Sequence, residues 1–153
     1  MAHGAARLIF VLDQNLGRHV LEFLRASEVC PADQVTSLEE LGYARDLADE
    51  EWIAKLGQLG HHVAVTRDGN ILNATLRREA WLASGLGLML LDKRWGMLPR
   101  REWPRHLLYW WPHMIAVASA GKKGGAWTVA CRIPEPLKEW IRPVTGPPII
   151  KRS

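Results

Sequence analysis

His61-His62-Val63-Ala64-Val65-Thr66-Arg67-Asp68-Gly69-Asn70-Ile71 is the stretch whose reading decides the fold. Val63 to Thr66 is a short apolar run rich in β-branched residues, and it leads into a carboxylate, Asp68. Such a run fits a strand buried on both faces of a parallel sheet, delivering an acid to the carboxyl edge where ligands bind. Asp68-Gly69 between apolar runs is also a hairpin signal. The continuation decides against a hairpin, because Ile71, Leu72, Leu76, Ala80 and Leu82 recur at helical spacing rather than at period two. The same grammar occurs once earlier, where Leu8-Ile9-Phe10-Val11-Leu12 runs into Asp13.

Working outward, Arg7 to Leu12 reads as the first strand. Asn15 to Ser27 reads as an amphipathic helix with Leu16, Val20, Leu21, Phe23 and Leu24 on its apolar stripe. Pro31 to Asp33 is turn chemistry, Gln34 to Leu38 a weak second strand, and Glu39 to Ala48 either a short helix or an ordered loop. Asp49-Glu50-Glu51 opens a helix through Trp52, Ile53, Leu56 and Leu59, with Gly60 as its stop. The strand His62 to Thr66 follows, then a helix from Asn70 to Ser84 closed by Gly85, and a strand Leu86 to Leu91 ending at Asp92. This alternation predicts an α/β fold: a central parallel sheet with right-handed crossovers and helices on both faces.

Beyond Asp92 the character changes. Lys93, Arg94, Arg100, Arg101 and Arg105 share a short window with Trp95 and Trp103. Pro104 suits the first turn of a helix carrying Leu107, Trp110 or Trp111, Met114, Ile115 and Ala118, with a kink at Pro112. Gly121 to Gly125 reads as a loop, Trp127 to Ile133 as a last strand, and the Pro-rich end from Pro143 as a loosely held tail. The whole, 1–153, is expected to be one domain: a core over 7–92, a basic, Trp-rich helix and strand over 93–142, and a tail over 143–153.

With 48% hydrophobic and 24% charged residues the composition is that of an ordinary soluble globule. No apolar run approaches the ~20 residues of a membrane span. The first apolar stretch lacks a small-residue cleavage site, so no secretory leader and no membrane partner are expected. Cys30 and Cys131 form no CxxC and fit reduced thiols in a cytoplasmic protein, although a disulfide between them stays open. The net charge of +4 hides a split. Residues 1–91 carry 8 Lys and Arg against 12 Asp and Glu, net −4, and residues 92–153 carry 12 against 4, net +8. An acidic half that could hold cations, joined to a basic half that could hold polyanions, suggests a phosphate-containing polymer; a basic end that merely aids solubility is the plain alternative.

Asp13, Asp49 and Asp68 are the candidates for chemistry. Clustered carboxylates repel one another, so gathering them makes sense around a hard divalent cation, Mg²⁺ or Mn²⁺. Such an ion activates water and steadies the leaving oxygen of a phosphodiester. Each acid also has an ordinary use: Asp13 capping its helix, Asp49 as an N-cap, Asp68 in a turn. The three share one edge only if the Asp49 helix starts at the carboxyl side of the sheet. Cations from Lys93 to Arg101 could hold phosphates while Trp95 or Trp103 stack unpaired bases, though Trp at helical spacing more often packs a core or an interface. Gly121-Lys122-Lys123-Gly124-Gly125 lacks the P-loop pattern, Gly85-Leu86-Gly87 lacks a dinucleotide fingerprint, and His61-His62 has no partner at metal spacing. Nothing resembles a Ser/His/Asp triad.

Three motifs together carry a resemblance. Val11-Leu12-Asp13-Gln14-Asn15-Leu16, Asp49-Glu50-Glu51-Trp52-Ile53 and Val65-Thr66-Arg67-Asp68-Gly69-Asn70-Ile71 resemble the successive motifs of PIN-like domains, closest to the VapC-like toxin branch. The likeness spans Arg7 to Leu91. It implies a parallel sheet, an acidic Mg²⁺ or Mn²⁺ site and endoribonuclease activity, as in the toxin of a toxin–antitoxin pair restrained by a protein antitoxin. It further implies Asp13, Asp49 and Asp68 as metal-site and catalytic acids, Asn15 and Glu50 as supporting groups, and Arg67 as a phosphate contact. Asn70 stands where many relatives place a further acid, and Asp92 is the candidate to supply one. The alternatives are a catalytically silent RNA- or protein-binding module, and a phosphatase or nuclease acting on DNA or small phosphate esters. The Trp-rich composition of the basic half suggests a homodimer contact.

Overall fold

A computed structural model of the chain describes residues 8–67, 75–121, 124–131 and 141–143, the side chains of Asn15 and of 141–143 excepted. In chain order the elements are β1 (Ile9–Leu12), α1 (Arg18–Ser27), β2 (Val35–Ser37), α2 (Asp49–Gly57), β3 (His62–Thr66), α3 (Thr75–Ser84), β4 (Gly87–Leu91), α4 (Trp103–Ala120), β5 (Ala126–Val129) and β6 (Ile141–Pro143). The strands form one sheet in the order β2-β1-β3-β4-β5-β6. The first five are parallel, with Leu12 opposite Val65, Thr66 opposite Leu90 and Leu91 opposite Val129. β6 adds an antiparallel edge, Thr128 facing Arg142, where the sequence reading placed no separate strand. Pro143 is tolerated there because an edge strand has a side that needs no donor.

All five residues of β3 and all five of β4 are buried, as continuous apolar runs between two helical layers must be. Side chains alternate between the layers. Phe10, Leu12, Val63, Val65, Met89, Leu91, Trp127 and Val129 pack with α1 and α4. Val11, Ala64, Leu88, Leu90 and Ala126 pack with Trp52, Ile53 and Leu56 of α2 and Trp81 of α3. α2 and α3 approach so closely that a Cβ on Gly57 would lie 2.4 Å from the Ser84 Cβ and carbonyl oxygen. Gly85, at φ +79°, lets the chain leave α3 into β4.

One expectation is corrected. The β3–β4 and β4–β5 connections advance in the same direction across the sheet, yet α3 lies on one face and α4 on the other. The two crossovers therefore have opposite hands, and the β4–β5 unit is the one that departs from the other three. The rule of right-handed crossovers holds where a helix directly follows its strand. Here two 3₁₀ turns, Lys93–Met97 and Arg100–Glu102, carry the chain to the far face before α4 begins.

Smaller departures have local causes. The expected helix from Asn15 starts as a 3₁₀ turn, Gln14–Leu16, and Gly17 separates it from α1. Glu39 to Ala48 is turn rather than helix, tied down by the Tyr43 N–H donating to the Leu38 carbonyl at 3.0 Å. α4 continues through Pro112, which stands on its exposed side. The last parallel strand stops at Val129, with Ala130 and Cys131 beyond it. Asp68, Asn70, the start expected for the third helix and the tail from residue 144 lie outside the described residues.

Candidate active site

The carboxyl edge of the sheet collects the polar groups. Succession reverses at β1, whose neighbours are β2 on one side and β3 on the other, and an α/β sheet opens a crevice at such a point. Asp13 follows β1 directly in extended conformation, and its N–H donates to the Val65 carbonyl at 3.0 Å. Across the crevice the Thr66 hydroxyl, fully buried at 0% exposure, donates to Asp13 Oδ2 at 2.6 Å. By strand alternation Asp13 and Thr66 share the face that Val11, Ala64 and Leu90 turn toward α2 and α3. The sequence quotes Thr66 inside its motif but gives it no role; that role is to fix the orientation of Asp13.

Asp92 ends β4 at the same edge, its N–H donating to the Val129 carbonyl at 3.0 Å. Its side chain accepts the Arg94 N–H at 2.9 Å and so caps the 3₁₀ turn Lys93–Met97. The residue is 8% exposed, which rules out a plain surface ion pair with Lys93 and Arg94. Burial pushes its carboxyl above the ordinary value, against the Arg94 N–H and charge and the Trp95 N–H, which pull it down.

Asp49 reaches this edge from a helix. α2 joins parallel strands and must run back along the sheet, so its first residue stands at the carboxyl side. Asp49 thus stands at the same edge of the sheet as Asp13. Ala48, not Asp49, holds the N-cap position, and Asp49, Glu50 and Glu51 fill the first turn, where negative charge suits the helix dipole. Both oxygens of Asp49 are engaged: Oδ1 accepts Trp52 Nε1–H at 2.9 Å, and Oδ2 lies 3.4 Å from Arg77 Nε of α3. The sequence reading missed Arg77, since only the packing of α2 on α3 makes them neighbours. Among the described residues no three His, Cys, Asp or Glu side chains stand together as a metal group. Asp68 is not one of the residues so described.

Cations rim the edge. Arg67, Lys93, Arg94, Arg100 and Arg101 are all exposed. The tryptophans among them are not: Trp95 is 0% and Trp103 1% exposed, so neither is available to stack a base. Of the two readings the core one holds, because both indoles pin the β4–α4 link. Trp95 Nε1–H donates to the Val129 carbonyl at 3.0 Å, and Trp103 Nε1–H is shared between the carbonyls of Trp95 at 3.0 Å and Leu98 at 3.1 Å. Trp110 and Trp111 are buried as well.

A sequence model described as "PIN like domain" matches residues 8–93, from the start of β1 past Asp92. The chain belongs to the PIN-like domain family. No curated protein and no solved structure matches it. The PIN-like assignment agrees with the parallel sheet flanked by helices, a nuclease-type fold. It covers Asp13, Asp49, Thr66, Asp68, Arg67 and Asp92, whereas α4, β5 and most of the cationic rim lie beyond the matched PIN-like segment. No described helix is long and apolar enough to cross a membrane.

Proposed function

We propose that the chain is a metal-dependent endoribonuclease of the VapC-like branch, the toxin of a toxin–antitoxin pair held in check by a protein antitoxin. The observation that carries this reading is the Asp13 carboxylate, fixed by Thr66 at the point where strand succession reverses, on the strand beside the one that leads into Asp68. The donor set suits a hard divalent ion, since every candidate ligand offers oxygen and none offers a thiolate or imidazole.

Asp13 and Asp68 would hold Mg²⁺ or Mn²⁺, with Asp49 completing the set or orienting the attacking water. Asn15, Glu50, Asn70 and Asp92 would support them. Once bound, the ion supplies Lewis acidity at the phosphoryl oxygen and lowers the pKa of a water. Trp52 and Arg77 set the direction of Asp49. Arg67, Lys93, Arg94, Arg100 and Arg101 would hold the RNA backbone beside the acids through phosphate contacts.

The test is Asp68→Asn beside Asp13→Asn. Each is expected to abolish Mn²⁺ binding by calorimetry and to lower RNA cleavage by about a hundredfold or more, the scale of losing a group that stabilises developing charge, while the urea midpoint stays in place. Retained cleavage in Asp68→Asn removes that residue from the mechanism. A catalytically silent RNA- or protein-binding module is the second reading, and the engagement of both Asp49 oxygens within the chain favours it. That reading prevails if the purified protein binds RNA in a salt-sensitive way and cuts none with either metal. A panel of DNA and small phosphate esters separates the remaining hydrolase readings.

A further inference from the structure

Two of the exposed cations are not independent. The Arg67 guanidinium carbon lies 5.7 Å from the centroid of the Trp103 ring, and that of Arg100 lies 4.8 Å from it. Both distances fall within the range over which an indole attracts a guanidinium. Arg67 comes from the end of β3 and Arg100 from the link before α4, so the indole joins cations from separate parts of the chain. The platform is rigid. Trp103 is anchored by its shared Nε1–H bond, stands edge-on to Trp95 at 6.0 Å and 88°, and Trp95 is in turn bonded to the carbonyl of Val129 in β5. A Cβ on Gly96 would lie 3.0 Å from Arg67 Nη1, so the missing side chain gives Arg67 room beside the ring.

We infer that Trp103 is a positioning residue for RNA: it sets Arg67 and Arg100 as a paired grip for backbone phosphate beside the acid-bearing edge. The pairing rests on the ribonuclease reading for its ligand. Two cations gathered about one ring suit an anionic polymer as ligand. Each presents a planar fork of N–H donors matched to phosphate oxygens, and stacking on the indole reduces the freedom lost on binding. Neither Trp95 nor Trp103 can stack a base, so the grip reads backbone and tolerates sequence. Met97, 86% exposed in the same turn as Gly96, offers an apolar contact for a base of an unpaired strand. On the ribonuclease reading, the ligand of this grip is single-stranded RNA.

The experiment is fluorescence anisotropy with a short labelled single-stranded RNA, in EDTA so that nothing is cut, over a series of salt concentrations. Arg67→Gln and Arg100→Gln are each expected to flatten the log–log salt slope by about 0.7, the value of one phosphate contact on a single strand. Arg67→Lys, Arg100→Lys and Gly96→Ala keep every charge. Under a positioning role each still weakens binding by roughly threefold to tenfold, the scale of one hydrogen bond: the lysines lack the planar fork, and the Cβ of Gly96→Ala displaces Arg67 Nη1. Trp103→Leu is expected to weaken binding likewise and Trp103→Phe to restore most of it. If the Trp103 variants do not fold, Gly96→Ala and the two lysine variants decide. Wild-type binding in those three overturns the inference. RNA that is bound this way but never cut with Mn²⁺ would sink the ribonuclease reading alone, while cleavage with unaltered binding in the variants sinks the pairing alone.

Discussion

Arg25 reaches Glu40 with two N–H groups, Nη1 at 2.8 Å and Nη2 at 2.5 Å, and the Thr36 hydroxyl donates to the same carboxylate at 2.7 Å. The Arg25 and Thr36 hydrogen bonds hold the Glu40 carboxyl down from 4.5 to about 2. A depressed acid stabilises the folded chain above its unfolded pKa and loses that contribution as pH falls, here between 4.5 and about 2. Because the glutamate side chain is 46% exposed, solvent screens the pair, and it is worth roughly 1 kcal/mol or less. Thermal melts should show Glu40→Gln less stable than the parent at pH 7, with the gap closing by pH 2 and shrinking in high salt. A gap that persists unchanged at pH 2 refutes the assignment. Asp92 acts in the opposite sense, since its raised carboxyl favours the folded state at low pH and that benefit fades as pH rises. Among the residues at the sheet's carboxyl edge, the position of Asp13 is legible in the sequence because an acid directly after a buried strand has one natural address. The Thr66–Asp13 bond, spanning 53 positions, and the Arg77–Asp49 pair are not legible, since only strand register and helix packing bring them together.

At the scale of elements, the contact of α2 with α3 is set by a missing side chain. A Cβ on Gly57 would meet both the Cβ and the carbonyl oxygen of Ser84 at 2.4 Å, and a carbonyl at a helix end cannot swing aside as a long side chain can. Gly57→Ala must therefore push the helices apart, even though alanine is the better helix former. The expected loss is about 1 to 3 kcal/mol, the usual cost of overpacking, read as a lower urea midpoint with unchanged m-value. Because Arg77 rides on α3, the same substitution should lengthen its contact with Asp49. A neutral or stabilising outcome would falsify the packing. The strands around this pair were legible for a simple reason: β1, β3 and β4 are apolar on both faces, and only a central parallel strand uses that pattern. Helix starts were less legible, as the break at Gly17 shows, and the β6 edge carries no periodic signal of its own.

For the molecule as a whole, the decisive step is the side on which α4 lands. Its apolar periodicity predicts a buried helix but says nothing about which face receives it. The turns from Lys93 to Glu102 make that choice, and their tryptophans read equally well as core or as stacking platforms until they are placed. The consequence is an incomplete core in the family-matched segment taken alone. Without α4 and β5, the face carrying Phe10, Val63, Val65 and Met89 keeps α1 as its one helical cover among the described residues. α4 places Trp103, Leu107, Trp110, Trp111 and Met114 against that face, all at most 1% exposed. Burying five such side chains is worth about 7 to 15 kcal/mol before ordering entropy is counted, as much as the roughly 5 to 15 kcal/mol net stability of a typical domain. A fragment ending at Leu98 is thus expected to lack a cooperative urea transition, to bind a hydrophobic dye and to elute as aggregate, although it contains every candidate acid. Adding the segment 99–153 in trans should restore a sigmoidal transition if α4 docks as described. A fragment that unfolds cooperatively by itself, at the midpoint of the full chain, would show that the second layer of the core is dispensable and that the PIN-like segment folds as an independent unit.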